Sequence, residues 1–375
     1  MACVSTAFIV GGGIAGLSAA VALGRVGVHC DVVEIADAPL GASLGVSGRA
    51  AEALEELGVY EECYDAGTPF TRDTTATSLM DAQGRLLSAG PPRPDWPGAK
   101  TAIGIYRPIL LQILAEAGRR LGVTIQRGIT AQTIEESNAA TWVTFGSGEK
   151  RQYDLVIGAD GIGSRIRSFV FPDAPAPVYA GQMSFRWMAP GPAIEGEGLY
   201  IGPVGRVGFY YLPQGMVYVP AIISAREWIR RSDEELFSIF AHLLDSYTAP
   251  AIVELRRRLT PDAELICRPF EWILLPNPWH RARTIIIGDA AHATTAHMGM
   301  GGGMALEDAV VLAQCIAAAP TLREAFDAFM ERRFTRVRTV VETSVALSRL
   351  EQAKSPASEN MALLGSAFRS LAQPY

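Results

Sequence analysis

The feature that most constrains this chain is its opening, where an apolar run, Ala7-Phe8-Ile9-Val10, passes straight into Gly11-Gly12-Gly13-Ile14-Ala15-Gly16. Gly11, Gly13 and Gly16 satisfy G-x-G-x-x-G, and a second apolar run after Cys30 ends on Glu34, eighteen residues beyond Gly16. Strand, tight turn, helix, strand and acid, in that order, are the parts of a βαβ unit that holds a dinucleotide. Gly11 permits the sharp turn off the strand, and Gly13 lets the backbone approach a pyrophosphate. Gly16 lets the helix pack closely on the sheet. Ile14 and Ala15 open that helix, whose free N–H groups and dipole favour a diphosphate. Glu34 suits the hydroxyls of an adenosine ribose, and its charge repels a 2′-phosphate.

The same stretch has a competing reading. No charged residue precedes Arg25, so residues 4–24 have the apolar content of a signal peptide or a membrane span. No basic segment precedes them, however, and three glycines interrupt the run, so a buried strand and helix is expected and no membrane span. A net charge of −6 gives no reason to expect nucleic acid or an anionic membrane as partner. Arg256-Arg257-Arg258 and Arg332-Arg333 lie on helix-like stretches with acids nearby and read as solvated faces. The cysteines, Cys3, Cys30, Cys63, Cys267 and Cys315, are scattered, odd in number and without C-x-x-C, which fits reduced thiols in a cytoplasmic protein. His292 and His297 have no third ligand at metal spacing, so no metal is expected.

The chain is long enough for two domains. A helix carrying Ala50, Leu54 and Leu57 stops at Gly58, and another begins after Tyr106-Arg107-Pro108. Between them residues 68–100 change character: threonine-rich strand material, a turn at Asp81-Ala82-Gln83-Gly84, then Pro91-Pro92-Arg93-Pro94. Residues 123–157 contain three strand-like runs. Residues 175–275 read as β-rich, with runs at Ser184–Met188, Leu199–Ile201, Val207–Leu212, Met216–Ile223 and Cys267–Leu275, interrupted by a helix near 233–246. Helices fill most of 304–350. The expected fold is therefore α/β: a Rossmann-like dinucleotide-binding domain with an interleaved β-sheet substrate domain and C-terminal helices. Its segments are 1–70, 101–174 and 276–345 for the first domain, 71–100 and 175–275 for the second, and 346–375 as a C-terminal helical extension. The crevice between the two domains is the natural place for a substrate facing a cofactor.

Three later stretches give the nucleotide a chemistry. Tyr153 to Arg167, read through Gly158-Ala159-Asp160-Gly161, resembles the second fingerprint of the FAD-dependent aromatic hydroxylases, the p-hydroxybenzoate hydroxylase-like single-component flavoprotein monooxygenases. Ile286-Ile287-Gly288-Asp289-Ala290-Ala291-His292 resembles their third, and Gly299–Gly303 followed by Ala305-Leu306-Glu307-Asp308-Ala309 resembles the loop and helix behind the flavin. The motifs fall in the family's order over roughly residues 5–345. The resemblance implies FAD held by both ends of the chain, with Asp289 accepting hydrogen bonds from the ribityl chain. Arg107 then reaches the pyrophosphate or ribityl group, and Asp160 supports the diphosphate while capping a helix. Gly299, Gly301, Gly302 and Gly303 leave N–H groups free at a helix start, whose positive potential would stabilise an anionic reduced flavin. Ala296 and Met300 stand where the family carries proline and glutamine, and Arg49 stands where many members carry asparagine beside the flavin.

The activity implied is NAD(P)H-dependent hydroxylation of a small aromatic or N-heteroaromatic substrate with O₂, through a flavin C4a-hydroperoxide, by a monomer or homodimer. NADH and NADPH are not distinguished. His297, beside the flavin, is placed to orient or deprotonate a substrate hydroxyl, because an ordinary imidazole titrates near neutrality. Arg186, Tyr210 and Tyr211 come from the β-rich part and would clamp a carboxylate or hydroxyl. Strand alternation allows only one of the two tyrosines to face the pocket. Trp187 reads as core, and Arg165 and Arg167 as exposed on the following helix. Two other readings stay open: a flavin reductase or dehydrogenase on this scaffold, and a flavoprotein that binds its ligand without turnover.

Overall fold

The computed structural model describes residues 2–38, 41–70, 78–89, 96–136 and 140–375. The threonine-rich stretch 71–77 and the prolines of 91–94 lie outside the described residues. A six-stranded sheet runs in the order His280–Arg281, Thr284–Ile286, Leu155–Gly158, Thr6–Val10, His29–Glu34, Thr124–Arg127. Every neighbouring pair in it is parallel except the short His280–Arg281 edge. The opening strand is buried on both faces, and alternation divides its work. Ile9 lies toward the helix Ile14–Arg25, while the Phe8 ring meets Phe145 at 5.6 Å and Tyr153 at 5.2 Å on the opposite face. That opposite face is covered by an antiparallel meander, Ala131–Glu136, Thr141–Phe145 and Lys150–Tyr153.

Residues 123–157 thus hold five short strands where the sequence pattern predicts three. The meander shows its outer side to solvent, leaving Trp142 41% exposed, so its strands carry polar residues and only a weak apolar signal.

A seven-stranded sheet follows in the order Leu265–Trp272, Val178–Pro190, Met216–Ser224, Gly205–Leu212, Gly198–Ile201, Leu79–Met80, Leu86–Ser88. One face, with Phe185, Trp187, Tyr200, Val207, Phe209 and Val219, packs on Phe240, Leu244, Ile252 and Leu255 of the helices Asp233–Asp245 and Pro250–Arg258. Trp187 is core, as expected. The residues between them point the other way, toward the six-stranded layer, and line a cavity. Period-two alternation alone decides which side chains can reach a ligand.

Helix Gly301–Ala318 is apolar and long enough to cross a membrane, yet it is mostly buried, packed between the glycine-loop helix and the long helix Leu322–Gln352. The last helix, Ala357–Leu371, folds back toward the cavity. Its end is held by Arg336, which donates to the Leu371 carbonyl at 2.7 Å, and by Tyr375, whose hydroxyl donates to Glu56 at 2.6 Å.

Candidate active site

The opening turn builds an anion cradle by steric exclusion. Gly11 has φ +112°, and a Cβ there would lie 2.2 Å from the Ala159 carbonyl oxygen; one at Gly16 would lie 1.8 Å from the Gly11 carbonyl oxygen. Over Gly13 the space is open, the nearest atom to an added Cβ being Arg107 Nη2 at 3.9 Å. No side chain caps the helix that starts after Gly13, so its first N–H groups face outward unbonded by any cap. Glu34 braces the loop from the next strand, accepting the Gly12 N–H at 2.7 Å and the Ala36 N–H at 2.8 Å. Gly11, Gly13, Glu34, Arg107 and Asp160 line one cleft of about 650 Å³. Ile14 is half-buried, while Ala15 and Gly16 are buried beneath the cradle.

The second and third fingerprints are tied together behind it. Asp160 accepts the Arg165 N–H at 2.7 Å and the Ser164 hydroxyl at 2.5 Å, which is the helix cap expected of it. Arg165 is exposed as expected, but Arg167 is not. It is 6% exposed and donates to the Ala290 carbonyl at 3.0 Å and the Ile162 carbonyl at 2.7 Å, joining the two motifs. A long amphipathic side chain on a short helix turned inward makes the difference. Asp289, at the start of a short helix, is exposed and has no hydrogen-bond partner among the described residues. Its carboxylate faces Arg107, whose pKa burial lowers and Asp289 and Glu34 raise, with Arg186 adding a like charge.

Arg333 also departs from the solvated-face reading. It is fully buried, its guanidinium spanning Glu307 (2.6 Å) and Asp308 (2.8 Å), both fully buried as well. The other oxygen of Asp308 accepts the Gly288 N–H at 3.0 Å and lies 2.6 Å from His292 Nε2. Burial pushes the Asp308 pKa up, but His292 and Arg333 outweigh it and hold the carboxyl at about 2. Two adjacent arginines on one helix point about 100° apart, so acids nearby in sequence do not make both solvent-facing.

Between this layer and the inner face of the seven-stranded sheet lies a cavity of about 1030 Å³. The sheet contributes Ser184, Arg186, Arg206 and Tyr218; the loop 296–300 contributes His297; the C-terminal helix contributes Met361, Leu364 and Phe368. Arg186 has no hydrogen-bond or ion-pair partner among the described residues. Arg49 lines the cavity with its guanidinium already engaged: it bonds Glu52 at 2.6 Å and the Ala372 carbonyl at 2.8 Å, and lies 4.1 Å from the Trp96 ring centroid. Gly299, with φ +65°, opens onto the cavity, and Gly301 begins a helix without a side-chain cap. Gly302 and Gly303 instead serve packing, since a Cβ would come within 2.9 Å of Leu44 and 2.8 Å of Ala50. Met300 and Ala296, the departures in this loop, both line the cavity.

Neither predicted tyrosine lines the cavity. Tyr210 is on the correct sheet face but beyond the cavity's end, edge-on to Phe70 and Tyr218, with its hydroxyl 2.7 Å from Ser43 Oγ. Tyr211 points to the opposite face and packs with the helical core there. Tyr218, directly opposite Tyr210 across the strands, takes the lining place. Arg206 and Glu351 line the cavity too, and none of these three stood out in the sequence. The alternation of Tyr218, Pro220 and Ile222 was a usable signal; nothing local marks Glu351, which lies near the end of a long helix.

His297 has a fixed tautomer. Thr295 donates its only hydroxyl hydrogen to the Ser344 carbonyl at 3.1 Å, so it can only accept from His297 Nδ1, 2.9 Å away. The neutral ring therefore carries its proton on Nδ1 and its lone pair on Nε2. Nε2 is buried without a hydrogen-bond partner, 3.8 Å from Glu351 Oε2. Glu351 is held in turn by Arg206 at 2.9 Å and Gln182 at 3.0 Å. Burial lowers the His297 pKa, Glu351 opposes that, and Arg206 reinforces it.

An uncapped glycine turn with an open face, a carboxylate without a partner at a strand end, and a cavity walled by a second sheet fit a dinucleotide-binding protein with room for a second ligand beside the nucleotide. The FAD binding domain family profile matches residues 4–189 and 273–344. The putative FAD-dependent monooxygenase YetM of Bacillus subtilis is 29% identical over 98% of this chain and 99% of its own length. The 2-heptyl-3-hydroxy-4(1H)-quinolone synthase of Pseudomonas aeruginosa is 30% identical over 94% of this chain and 91% of its own. The crystal structure of a Klebsiella pneumoniae HpxO variant complexed with FAD superposes with TM-score 0.80 at 23% identity, covering 99% of this chain and 95% of that one. The chain belongs to the FAD-dependent aromatic hydroxylase family and is an FAD-dependent monooxygenase.

Proposed function

We propose that this enzyme uses NAD(P)H and O₂ to hydroxylate an N-heteroaromatic or aromatic ring that carries an apolar substituent. The observation that carries the reading is the cavity itself, walled on one side by the loop 296–300 and on the other by Arg186, Arg206 and Tyr218, with Met361, Leu364 and Phe368 closing it. The quinolone synthase relative supports the same substrate class. When bound and reduced, FAD supplies the activated oxygen as a C4a-hydroperoxide. Gly11, Gly13 and the helix start hold its diphosphate, with Arg107; Glu34 takes the adenosine ribose, and Asp289 the ribityl chain. Gly299 and Gly301 present N–H groups to the ring edge. Arg186, a cation with no protein counter-charge among the described residues, binds a carbonyl or oxyanion of the substrate. His297, its side chain 1% exposed, backs the cavity wall and does not reach the substrate through Nε2, and the C-terminal helix excludes water.

In this reading the FAD-binding unit comprises 1–70, 101–174 and 276–345, the substrate unit 71–100 and 175–275, and the extension 346–375 closes the cavity. The enzyme works in the cytoplasm as a monomer or homodimer. The test is a panel of hydroxylated benzoates, pyridines, 4(1H)-quinolone and 2-heptyl-4(1H)-quinolone. Each is scored for stimulated NAD(P)H oxidation coupled to O₂ uptake and for a product heavier by one oxygen. We expect the alkylated quinolone to outperform the bare ring. NAD(P)H oxidation without any oxygenated product would overturn the reading in favour of a reductase.

A further inference from the structure

We propose that Gly208 is the specificity-determining residue of the substrate wall: with Pro220 it makes a flat floor that admits a planar system of two fused rings, which any side chain at 208 would exclude. The choice of an aromatic ligand rests on the aromatic-hydroxylase reading above; the assignment of the floor rests on the sheet.

Two residues at the centre of the seven-stranded sheet break the rules of strand composition, and they stand opposite each other. Strand Gly205–Leu212 pairs with Met216–Ser224 through Val207 with Ala221 and Tyr210 with Tyr218, in one register that sets Gly208 against Pro220. Glycine gives a strand interior no side chain to pack, and proline cannot donate to the ladder, so central strands ordinarily avoid both. No bend requires them here: the register runs through unchanged, and the backbone at Gly208 is not left-handed. The other face of the same strands is ordinary, with Val207, Phe209, Val219 and Ala221 packed in the helical core. The departures are confined to the face that lines the cavity, and departures from local rules concentrate where a ligand comes close to the backbone.

The neighbours show what the pair builds. One row across four strands reads Leu199, Gly208, Pro220 and Arg186, and all four line the cavity. Strands lie about 4.8 Å apart, so Gly208 and Pro220 leave a low strip about 10 Å wide between the side chains of Leu199 and Arg186. Two fused rings can lie flat on that strip, with Arg186 at one rim for a ring oxygen or an acidic substituent and apolar Leu199 at the other. Tyr218 stands at one end of the strip and Arg206 at the other. The strip exists only while position 208 has no side chain. A Cβ there would lie 2.7 Å from the terminal Cδ2 methyl of Leu199, 3.3 Å from the Gly198 carbonyl oxygen and 3.6 Å from Pro220 Cγ. The severe contact is with the free end of a half-buried side chain, so the fold accepts the change. Leu199 must then lift into the space that the second ring takes.

The experiment uses two anionic probes that differ in width, benzoate and 2-naphthoate, titrated by calorimetry into FAD-loaded wild type, Gly208→Ala, Gly208→Val and Gly208→Ala/Leu199→Ala enzymes. Wild type should bind 2-naphthoate at least about tenfold more tightly than benzoate, because the second ring buries further apolar area. Gly208→Ala should weaken 2-naphthoate at least about tenfold and benzoate less than about threefold, with a larger loss in Gly208→Val. Removing the displaced methyl in the double variant should bring 2-naphthoate back to within about threefold of wild type. Arg186→Gln should weaken both probes alike, which places them on the strip. A ratio of the two dissociation constants that Gly208→Ala leaves unchanged overturns the assignment. So does a double variant without recovery, binding indifferent to Arg186→Gln, or a wild type that binds neither probe. If Gly208→Val does not fold, the two alanine variants decide alone. Failure of every panel compound to gain oxygen defeats the aromatic-hydroxylase reading, while the probe ratio still decides the role of Gly208.

Discussion

Replacing Arg333 by methionine tests whether the ion cluster behind the third fingerprint is structural. Arg333 and both of its carboxylate partners are fully buried, so removing the guanidinium leaves two buried anions short of a counter-charge. Breaking such a pair by deleting one partner costs about 3–5 kcal/mol. The structure places this case at the low end of that range. Glu307 keeps Arg336 at 2.7 Å, and Asp308 keeps His292 at 2.6 Å and the Gly288 N–H at 3.0 Å. Taking about 3 kcal/mol, and an unfolding entropy of about 2.1 cal/mol/K per residue over 375 residues, the melting temperature should fall by about 4 °C. The assay is a thermal melt of the FAD-loaded enzyme followed by circular dichroism. Arg333→Lys, which keeps the charge but cannot span both carboxylates, should fall between the two. A methionine variant melting within about 1 °C of wild type would refute the account, since that corresponds to under about 1 kcal/mol.

Three further outcomes follow from the same geometry. Asp289→Ala should purify pale and bind added FAD at least about tenfold more weakly, as expected for one lost charge-assisted contact; full flavin occupancy measured by absorbance would sink the ribityl assignment. Gly16→Ala forces a Cβ to within 1.8 Å of the Gly11 carbonyl oxygen, so it should yield little folded protein in a soluble-expression assay, whereas Gly146→Ala, with open space around it and no left-handed backbone, should express normally. Asp308 and Glu351 are both held at about 2, below their ordinary values of 3.8 and 4.5, by cationic neighbours that outweigh burial. A carboxylate depressed on folding contributes stability above its unfolded pKa and loses it as pH falls through the folded one. Denaturant midpoints should therefore drop between about pH 4.5 and 2, and by less in Glu351→Gln. Equal acid sensitivity in the two would count against Glu351.

The glycine turn was legible from residue spacing because its physics is local. Gly11, Gly13, Gly16 and Glu34 act through backbone clearance and strand order within one βαβ unit, and Gly288-Asp289 acts through one strand end, so spacing along the chain carries the geometry. The two β-rich stretches were also visible as alternation, and so was the rule that only one of Tyr210 and Tyr211 could face inward. Which of the two it was, and whether it reached the cavity, depended on sheet register: Tyr210 faces inward but sits past the cavity's end, and Tyr218 takes the place from the neighbouring strand.

The charged wall around Glu351 was out of reach for a further reason. His297, Glu351, Arg206 and Gln182 come from a loop, a helix and two strands far apart in sequence, and their roles depend on distances of 2.9 to 3.8 Å that only tertiary packing sets. Arg333 and Arg167 show the same limit, since sequence neighbours do not decide whether a charge is solvated; the elements packed above it do. Local sterics and periodicity thus specified the nucleotide-binding half from sequence alone. Long-range contacts, which determine burial and hence charge state, decided the chemistry facing it.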